Sequence, residues 1–276
     1  MGLTLLKYEA IGNDFVVLVD PGRAERFDAA LAEALCDRRR GIGADGLMRI
    51  GGGGQDLTME LRNADGGVAE TSGNGLRCAV LAAIDEGLVE SATAPIRVRT
   101  LAGTVTARCV ERDTAGARLT VGMGELTVQR ETSSPLVGYE ALTVDVGNPH
   151  LVLLAGAQAA PVDIAEIGPV LEASRPGGVN VEVVEVRGPG VLALSVWERG
   201  AGRTLACGSG SCAAAAAARL LGRSGDAVLV ENPGGALAVR LSGPPERPSA
   251  VLEGPARRVA EIIASPALLA DAQALP

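Results

Sequence analysis

Apolar and polar residues alternate with changing period along the chain, and the changes mark out its elements. Leu3 to Glu9 and Phe15 to Asp20 read as strands joined by the turn Ile11-Gly12-Asn13-Asp14. Asp28 to Arg39 has helical spacing, with Leu31, Ala34 and Leu35 on one face. Leu47 to Ile50 and Leu57 to Arg62 read as strands, and Gly51 to Gly54 between them as a flexible turn. Leu76 to Ile84 is an apolar helix. Thr93 to Val121 breaks into short strands at Gly103 and at Thr114-Ala115-Gly116, and Thr132 to Pro135 is a loop. In the second half a strand follows Asn148, Ile164 to Ser174 is a helix, and Arg175 to Gly178 is a turn. Val179 to Val186 and Val191 to Val196 are strands flanking Gly188-Pro189-Gly190. After a helix built on Ala213 to Ala218 come short strands at Ala227 to Val230, Ala236 to Leu241 and Ala250 to Glu253. The Ala- and Pro-rich tail from Ser265 is expected to fray.

The pattern occurs twice. Leu61 to Gly75, LRNADGGVAETSGNG, leads into the first apolar helix, and Ser195 to Gly210, SVWERGAGRTLACGSG, leads into the Ala-rich one. Ser72 and Cys207 stand 135 positions apart (207 − 72), and Gly73 and Gly75 match Gly208 and Gly210 at the same offset. Asn63 falls on Glu198. The turn Gly12-Asn13-Asp14-Phe15 and the segment Gly147-Asn148-Pro149-His150 keep that offset too. One offset serving separate segments indicates an internal duplication. It divides the chain into domains at 1–124 and 125–276, with the last strand free to return to the first.

Composition narrows the class. The chain has 276 residues with 47% hydrophobic but only 2% aromatic residues, so its cores are aliphatic. A net charge of −8 argues against a nucleic-acid or anionic-membrane partner. No signal-peptide pattern or membrane-length apolar run is present, and five cysteines without either fit free thiols in a reducing cytoplasm. With one histidine and no CxxC, no metal site is expected. Gly41-Ile42-Gly43-Ala44-Asp45-Gly46 satisfies GxGxxG, but it follows a helix and enters a strand, the reverse of a dinucleotide fingerprint.

The chemistry gathers at the two Gly-rich turns. Free N–H groups at a helix start bind anions, and the same positive end lowers a thiol pKa. Cys207 therefore reads as a reactive thiol beside a carboxylate site, with Ser72 as its counterpart. If the two domains face each other about a pseudo-two-fold axis, an amino acid between them would present its α-carbon to both side chains. One group would take the α-proton and the other return one to the opposite face, while helix N–H groups stabilise the charge on the carboxylate. That chemistry needs no cofactor. Arg199, beside Glu198 and just before the second turn, reads as a carboxylate clamp. The lone His150 after Asn148-Pro149 reads by itself as a structural hydrogen-bonder.

Together these motifs resemble the diaminopimelate epimerase family. The resemblance is carried by Gly12-Asn13-Asp14-Phe15, Gly41 to Gly46, Asn63-Ala64-Asp65-Gly66 and Ser72-Gly73-Asn74-Gly75. It continues through Gly147-Asn148-Pro149-His150, Val179-Asn180-Val181, Glu198 to Gly202 and Thr204 to Gly210, spanning nearly the whole chain in order. It implies an α/β (α+β) fold of two pseudo-symmetric domains, each a curved, mostly antiparallel sheet or barrel wrapped around a central helix. It implies cofactor-independent interconversion of LL- and meso-diaminopimelate in the cytoplasm, for lysine and peptidoglycan synthesis, with a homodimer as a candidate assembly. Asn13, Asn63, Asn148, Asn180 and Arg199 would hold the distal end of the substrate. Gly73, Asn74, Gly208 and Ser209 would hold the reacting carboxylate, and Glu198 and His150 would assist the catalytic pair.

The chain departs from the family at that pair. The family has a catalytic cysteine where this chain has Ser72, and commonly a glutamate where it has Arg203. Cys78 lies further into the helix, where it is expected to pack in the core rather than replace the missing thiol. A serine hydroxyl is a poor base near neutral pH. Two alternatives follow: a racemase or dehydratase for another amino acid with Cys207 as single base, or a non-catalytic amino-acid-binding relative.

Overall fold

The computed structural model describes residues 3–69 and 72–274; Glu70 and Thr71, inside the first copy of the repeat, lie outside the described residues. The chain forms two compact units. One holds the chain up to Val121 together with the stretch from Gly254 on, the other Gly122–Glu253.

The first copy of the repeat runs β1 (Leu3–Ala10), β2 (Asn13–Val19), α1 (Ala29–Cys36), β3 (Gly46–Gly53), β4 (Asp56–Asn63) and α2 (Gly73–Asp85). It continues with β5 (Ile96–Thr100), β6 (Gly103–Asp113) and β7 (Gly116–Glu125). After β8 (Thr127–Arg130) the second copy runs β9 (Tyr139–Asp145), β10 (Pro149–Ala155), α3 (Ile164–Glu172), β11 (Asn180–Gly188) and β12 (Val191–Glu198). Then come the two-residue β13 (Gly202–Arg203), α4 (Gly208–Leu220), β14 (Ala227–Asn232), β15 (Gly235–Ser242), β16 (Ser249–Ala264) and α5 (Pro266–Ala274).

Both copies use the same connections. β2 and β3 pair in parallel across α1, and β4 and β5 in parallel across α2. β10 and β11 pair in parallel across α3, and β12 and β14 across α4. The other neighbours in each unit are joined antiparallel, as in β1–β2, β3–β4, β9–β10 and β11–β12. In the first unit the order β1-β2-β3-β4-β5-β6-β7-β16 closes on itself, because β16 also pairs with β1 from Leu3↔Ala264 to Glu9↔Arg257. Closure leaves that eight-stranded barrel without an exposed edge. In the second unit the order is β16-β15-β14-β12-β11-β10-β9-β8. There Leu126 and Val128 donate to the carbonyls of Pro248 and Glu246, just ahead of β16.

A helix fills each curled sheet. α2 packs against β1, β2, β3, β4 and β6, and α4 against β9, β10, β11, β12, β14 and β15. α2 is buried all round from Gly73 to Ala83, and α4 from Gly208 to Ala218 except at Ser209. A helix apolar on every side is stable only where sheet surrounds it. The alanines of α4 suit this place, since their short side chains let strands approach the helix backbone closely while keeping high helix propensity. The long strand pairings and the buried helices fix the first turns of α2 and α4, where the candidate chemistry lies.

Three expectations need correction. Gly51 to Gly53 continue β3 rather than forming a flexible turn, with Gly53 opposite Asp56. Gly52 sits there at φ +84, where an added Cβ would strike the Asp56 carbonyl at 2.3 Å, so glycine permits the strand rather than ending it. The tail does not fray from Ser265: Pro266–Ala274 forms α5, which packs on α1, with Leu268 and Leu269 against its apolar cluster. Ala250 to Glu253 is only the start of the 16-residue β16. Its polar residues past Gly254 hide the alternation, yet it pairs first with β15 and then with β1. β8 and β9 also escaped the sequence pattern. Among the described residues, no helix is long and apolar enough to cross a membrane.

Candidate active site

Ser72 and Cys207 are built identically into their helices. Each is the N-cap residue in extended backbone, Ser72 at φ −152, ψ 116 before α2 and Cys207 at φ −127, ψ 117 before α4. Ser72 Oγ accepts from the Gly75 N–H at 3.0 Å, and Cys207 Sγ from the Gly210 N–H at 3.3 Å. Glycine three residues on makes this possible. A Cβ at Gly75 would lie 3.1 Å from Ser72 Cβ, and one at Gly210 would lie 3.2 Å from Cys207 Cβ and 2.8 Å from Glu182 Oε1. Serine is a favoured cap residue. Cysteine in the same seat has no such claim on stability, which marks it as a residue kept for its thiol.

The surroundings of Cys207 are not those expected from a bare helix start. Burial pushes its thiol well above the ordinary value, and the charges of Glu198 and Glu182 push the same way. Hydrogen bonds from Ser209 and from the Gly210 N–H pull it down without offsetting them. Cys207 is 3% exposed. The lowered pKa expected from the helix end is therefore overturned: desolvation and two carboxyl groups outweigh the helix end. Glu198 is affected likewise. Burial raises its carboxyl, while hydrogen bonds from Thr204, at 2.6 Å, and from Cys207 act against the rise. Burial and the two carboxyl groups thus both favour the neutral thiol of Cys207.

Behind this pair lies a buried polar cluster. His150 is fully buried, with Nδ1 2.7 Å from Glu182 Oε1 and Nε2 3.0 Å from Asn148 Oδ1. Glu182 is also fully buried, and among the described residues its Oε2 has no hydrogen-bond partner. A buried carboxyl oxygen left unpaired costs stability. Asn180 ties the strand ends together: its Nδ2 donates to the Pro149 carbonyl at 3.0 Å, and its Oδ1 accepts from the Arg199 N–H at 3.0 Å. Among the described residues the Arg199 guanidinium donates to the Gly177 carbonyl, at 3.4 Å, and the residue is exposed. Asn232 Oδ1 accepts from the Cys207 N–H at 3.4 Å.

In the first unit, Asn74 is buried at the start of α2, and its Nδ2 donates to Asn13 Oδ1 at 3.3 Å. Asn13 Nδ2 donates to Asp45 Oδ2 at 2.6 Å. Arg77, fully buried in α2, donates to Asn74 Oδ1 at 2.7 Å. Asn63 ends β4 with an exposed side chain. Cys78 is fully buried, as expected, and desolvation pushes its thiol up.

The expected site residues thus gather into two sets. Ser72, Gly73, Asn74 and Asn13 form one. Cys207, Gly208, Ser209 and Glu198 form the other, backed by Asn148 and His150; Asn180 and Arg199 are joined to each other. Sequence reasoning missed Glu182, Asp45, Arg77 and Asn232. Glu182 left a signal, a lone acid in the apolar run Val179-Asn180-Val181-Glu182-Val183-Val184. Among the described residues, no group of three or more His, Cys, Asp or Glu is placed to hold a metal.

The model of the diaminopimelate epimerase family matches residues 5–128 and 142–259. This chain belongs to that family. Diaminopimelate epimerases of Cyanothece sp. and Desulforudis audaxviator are 37% and 38% identical to it. The first alignment covers 94% of this chain and 98% of the relative, the second 92% and 96%. Membership makes the chain an isomerase by class. Solved structures share the fold at lower identity. A phenazine biosynthesis protein of the PhzF family from Bacillus anthracis aligns with TM-score 0.74 at 15% identity, covering 95% of this chain and 98% of that one. A hydroxyproline epimerase from Agrobacterium vitis aligns with TM-score 0.67 at 16% identity, covering 99% and 98%. Two curled α/β units, each around one helix, are therefore the family architecture seen here.

Proposed function

We propose that this protein interconverts LL- and meso-diaminopimelate by moving the α-proton, without pyridoxal phosphate. The observation that carries the reading is the Cys207 thiol, capping a buried helix under the influence of the Glu198 and Glu182 carboxyl groups, in a chain of this family. An arriving amino acid brings an ammonium group, which offsets the charges of Glu198 and Glu182. Cys207 can then pass its proton to Glu198 and, as thiolate, take the α-proton. The carbanion charge spreads onto the substrate carboxylate, held by N–H groups at Gly73, Asn74, Gly208 and Ser209. Ser72 returns a proton to the opposite face and regains one from solvent while Glu198 releases the proton it received, and His150 assists at the reacting end. Asn13, Asn63, Asn148, Asn180 and Arg199 hold the distal amino-acid end. In this reading the enzyme works in the cytoplasm on a free amino acid, with a homodimer as its candidate assembly.

Incubation with LL-diaminopimelate in heavy water tests the reading. Formation of the meso isomer with α-deuterium is expected. Ser72 favours one other reading, a racemase or dehydratase for a different amino acid with Cys207 as single base. Loss of water or ammonia from another amino acid, with no inversion of diaminopimelate, would establish that instead. Binding with neither exchange nor inversion would mean a non-catalytic relative.

A further inference from the structure

We infer that Asp45 and Arg77 are positioning residues that lock the side-chain amides of Asn13 and Asn74 in one orientation. Asp45 lies in Gly41 to Gly46, the motif whose helix-then-strand order is the reverse of a dinucleotide fingerprint. The inference rests on the function proposed above only for the ligand that the amides face.

An asparagine amide has an acceptor end and a donor end of nearly equal size, so its orientation is decided by its neighbours. Here the two amides stand in line between groups of opposite character. At one end Arg77, which can only donate, gives Nη2–H to Asn74 Oδ1 at 2.7 Å. Asn74 Nδ2 then faces Asn13 Oδ1 at 3.3 Å, and Asn13 Nδ2 faces Asp45 Oδ2 at 2.6 Å. At the other end the Asp45 carboxylate accepts. Turning either amide over would set donor against donor or acceptor against acceptor at both of its bonds.

Both ends are held. Arg77 also donates Nε–H to the Pro255 carbonyl at 3.1 Å and Nη1–H to the Gly73 carbonyl at 3.2 Å. Asp45 accepts from Arg38 Nη2 at 2.7 Å and from the Asp14 N–H at 3.1 Å. The second copy of the repeat has no such ends: the positions equivalent to Asp45, Asn74 and Arg77 are Asn180, Ser209 and Cys212. The lock belongs to the first copy alone. It presets the orientation of the Asn13 and Asn74 amides before a zwitterionic amino acid arrives.

The test uses the full chain labelled with nitrogen-15, following the side-chain amide signals of Asn13 and Asn74. Asp45→Ala, at a partly exposed position, should shift the Asn13 signal and, through it, that of Asn74. Its KM for diaminopimelate should rise about tenfold, the effect of one charge-assisted hydrogen bond, with a smaller change in kcat. Arg77→Lys keeps a donor and should leave both signals near their native positions, whereas Arg77→Met should move both. Should the buried Arg77→Met fail to fold, the Asp45→Ala arm decides. An unmoved Asn74 signal in Asp45→Ala would overturn the lock, and an unchanged KM would overturn its part in binding. If the unmodified protein does not turn over diaminopimelate, the substrate reading fails, while the spectra still report whether the two amides are coupled.

Discussion

The two copies of the repeat start their central helices with the same cap and surround them differently. At α2 the cap is Ser72, and the strands beneath carry Phe15 and Leu47, both buried and apolar. At α4 the cap is Cys207, and the equivalent positions, 135 residues on, are His150 and Glu182, buried and hydrogen-bonded to each other. The first copy places its charges further out, at Asp45 and Arg77, where they orient amides. The second places them beside the thiol, where they govern its proton. The two copies share one frame and differ in where the charges stand, and the proposed function assigns holding to the first arrangement and proton transfer to the second.

The strongest way to break this comparison is to remove each cap. Cys207→Ala should lower the inversion rate by about a thousandfold, within the range for loss of a general acid–base group. Ser72→Ala should cost about tenfold, since the hydroxyl is the weaker partner. Chiral chromatography of the diaminopimelate isomers measures both. Equal losses would show that the halves share the chemistry evenly.

Making the halves alike is the next test. Ser72→Cys is nearly isosteric in its seat and should raise inversion by about tenfold to a hundredfold. In heavy water the native protein should label unconverted substrate with α-deuterium faster than it forms product, because Cys207 reprotonates the carbanion before Ser72 delivers. The variant should lose that excess. An unchanged ratio of exchange to inversion would separate Ser72 from the proton path.

A smaller effect is expected at the distal end. Arg199 is exposed, and its guanidinium makes a long hydrogen bond to the Gly177 carbonyl, at 3.4 Å, so it is available to a carboxylate. Arg199→Ala should raise KM about tenfold with little change in folding stability, by steady-state kinetics and urea unfolding. An unaltered KM would remove Arg199 from the clamp.

The finest distinction is electrostatic. The Glu198 charge helps to hold the Cys207 thiol above its ordinary value. Glu198→Gln should therefore bring the thiol down and speed its alkylation by iodoacetamide at pH 8, read by peptide mapping. A thiol raised in the folded state stabilises the fold fully below its unfolded value, about 8.5, and that contribution is lost as pH rises toward the folded value. Urea midpoints of the native protein should accordingly fall above about pH 8.5, and those of Cys207→Ala should fall less.

Much of this arrangement was legible in the residues. The 135-residue offset located both helix caps, because a duplication keeps glycines wherever a cap side chain must cover an N–H. Gly75 and Gly210 do so here. Alternation found the strands with one wet face, such as β4, and lost β16, whose pairing passes from β15 to β1 while its side chains lose a clean period. Asp45 was passed over because its motif failed as a nucleotide fingerprint, although the same turn aims its carboxylate at Asn13. Glu182 stood out as one acid among valines, yet its partner His150 lies 32 positions away in sequence, and only the parallel pairing of β10 with β11 joins them.

By itself, then, the sequence determined the periodic elements, the twofold repeat, and the serine and cysteine at equivalent helix starts, since these depend on local spacing and on chain-wide self-similarity. Tertiary structure decided the state of the thiol. A helix start seen alone predicts a lowered pKa for Cys207, but the pKa depends on every charge nearby and on access to water. Glu182 on β11, Glu198 at the end of β12 and burial under the surrounding sheet meet the thiol only in the folded protein, where they reverse the sign.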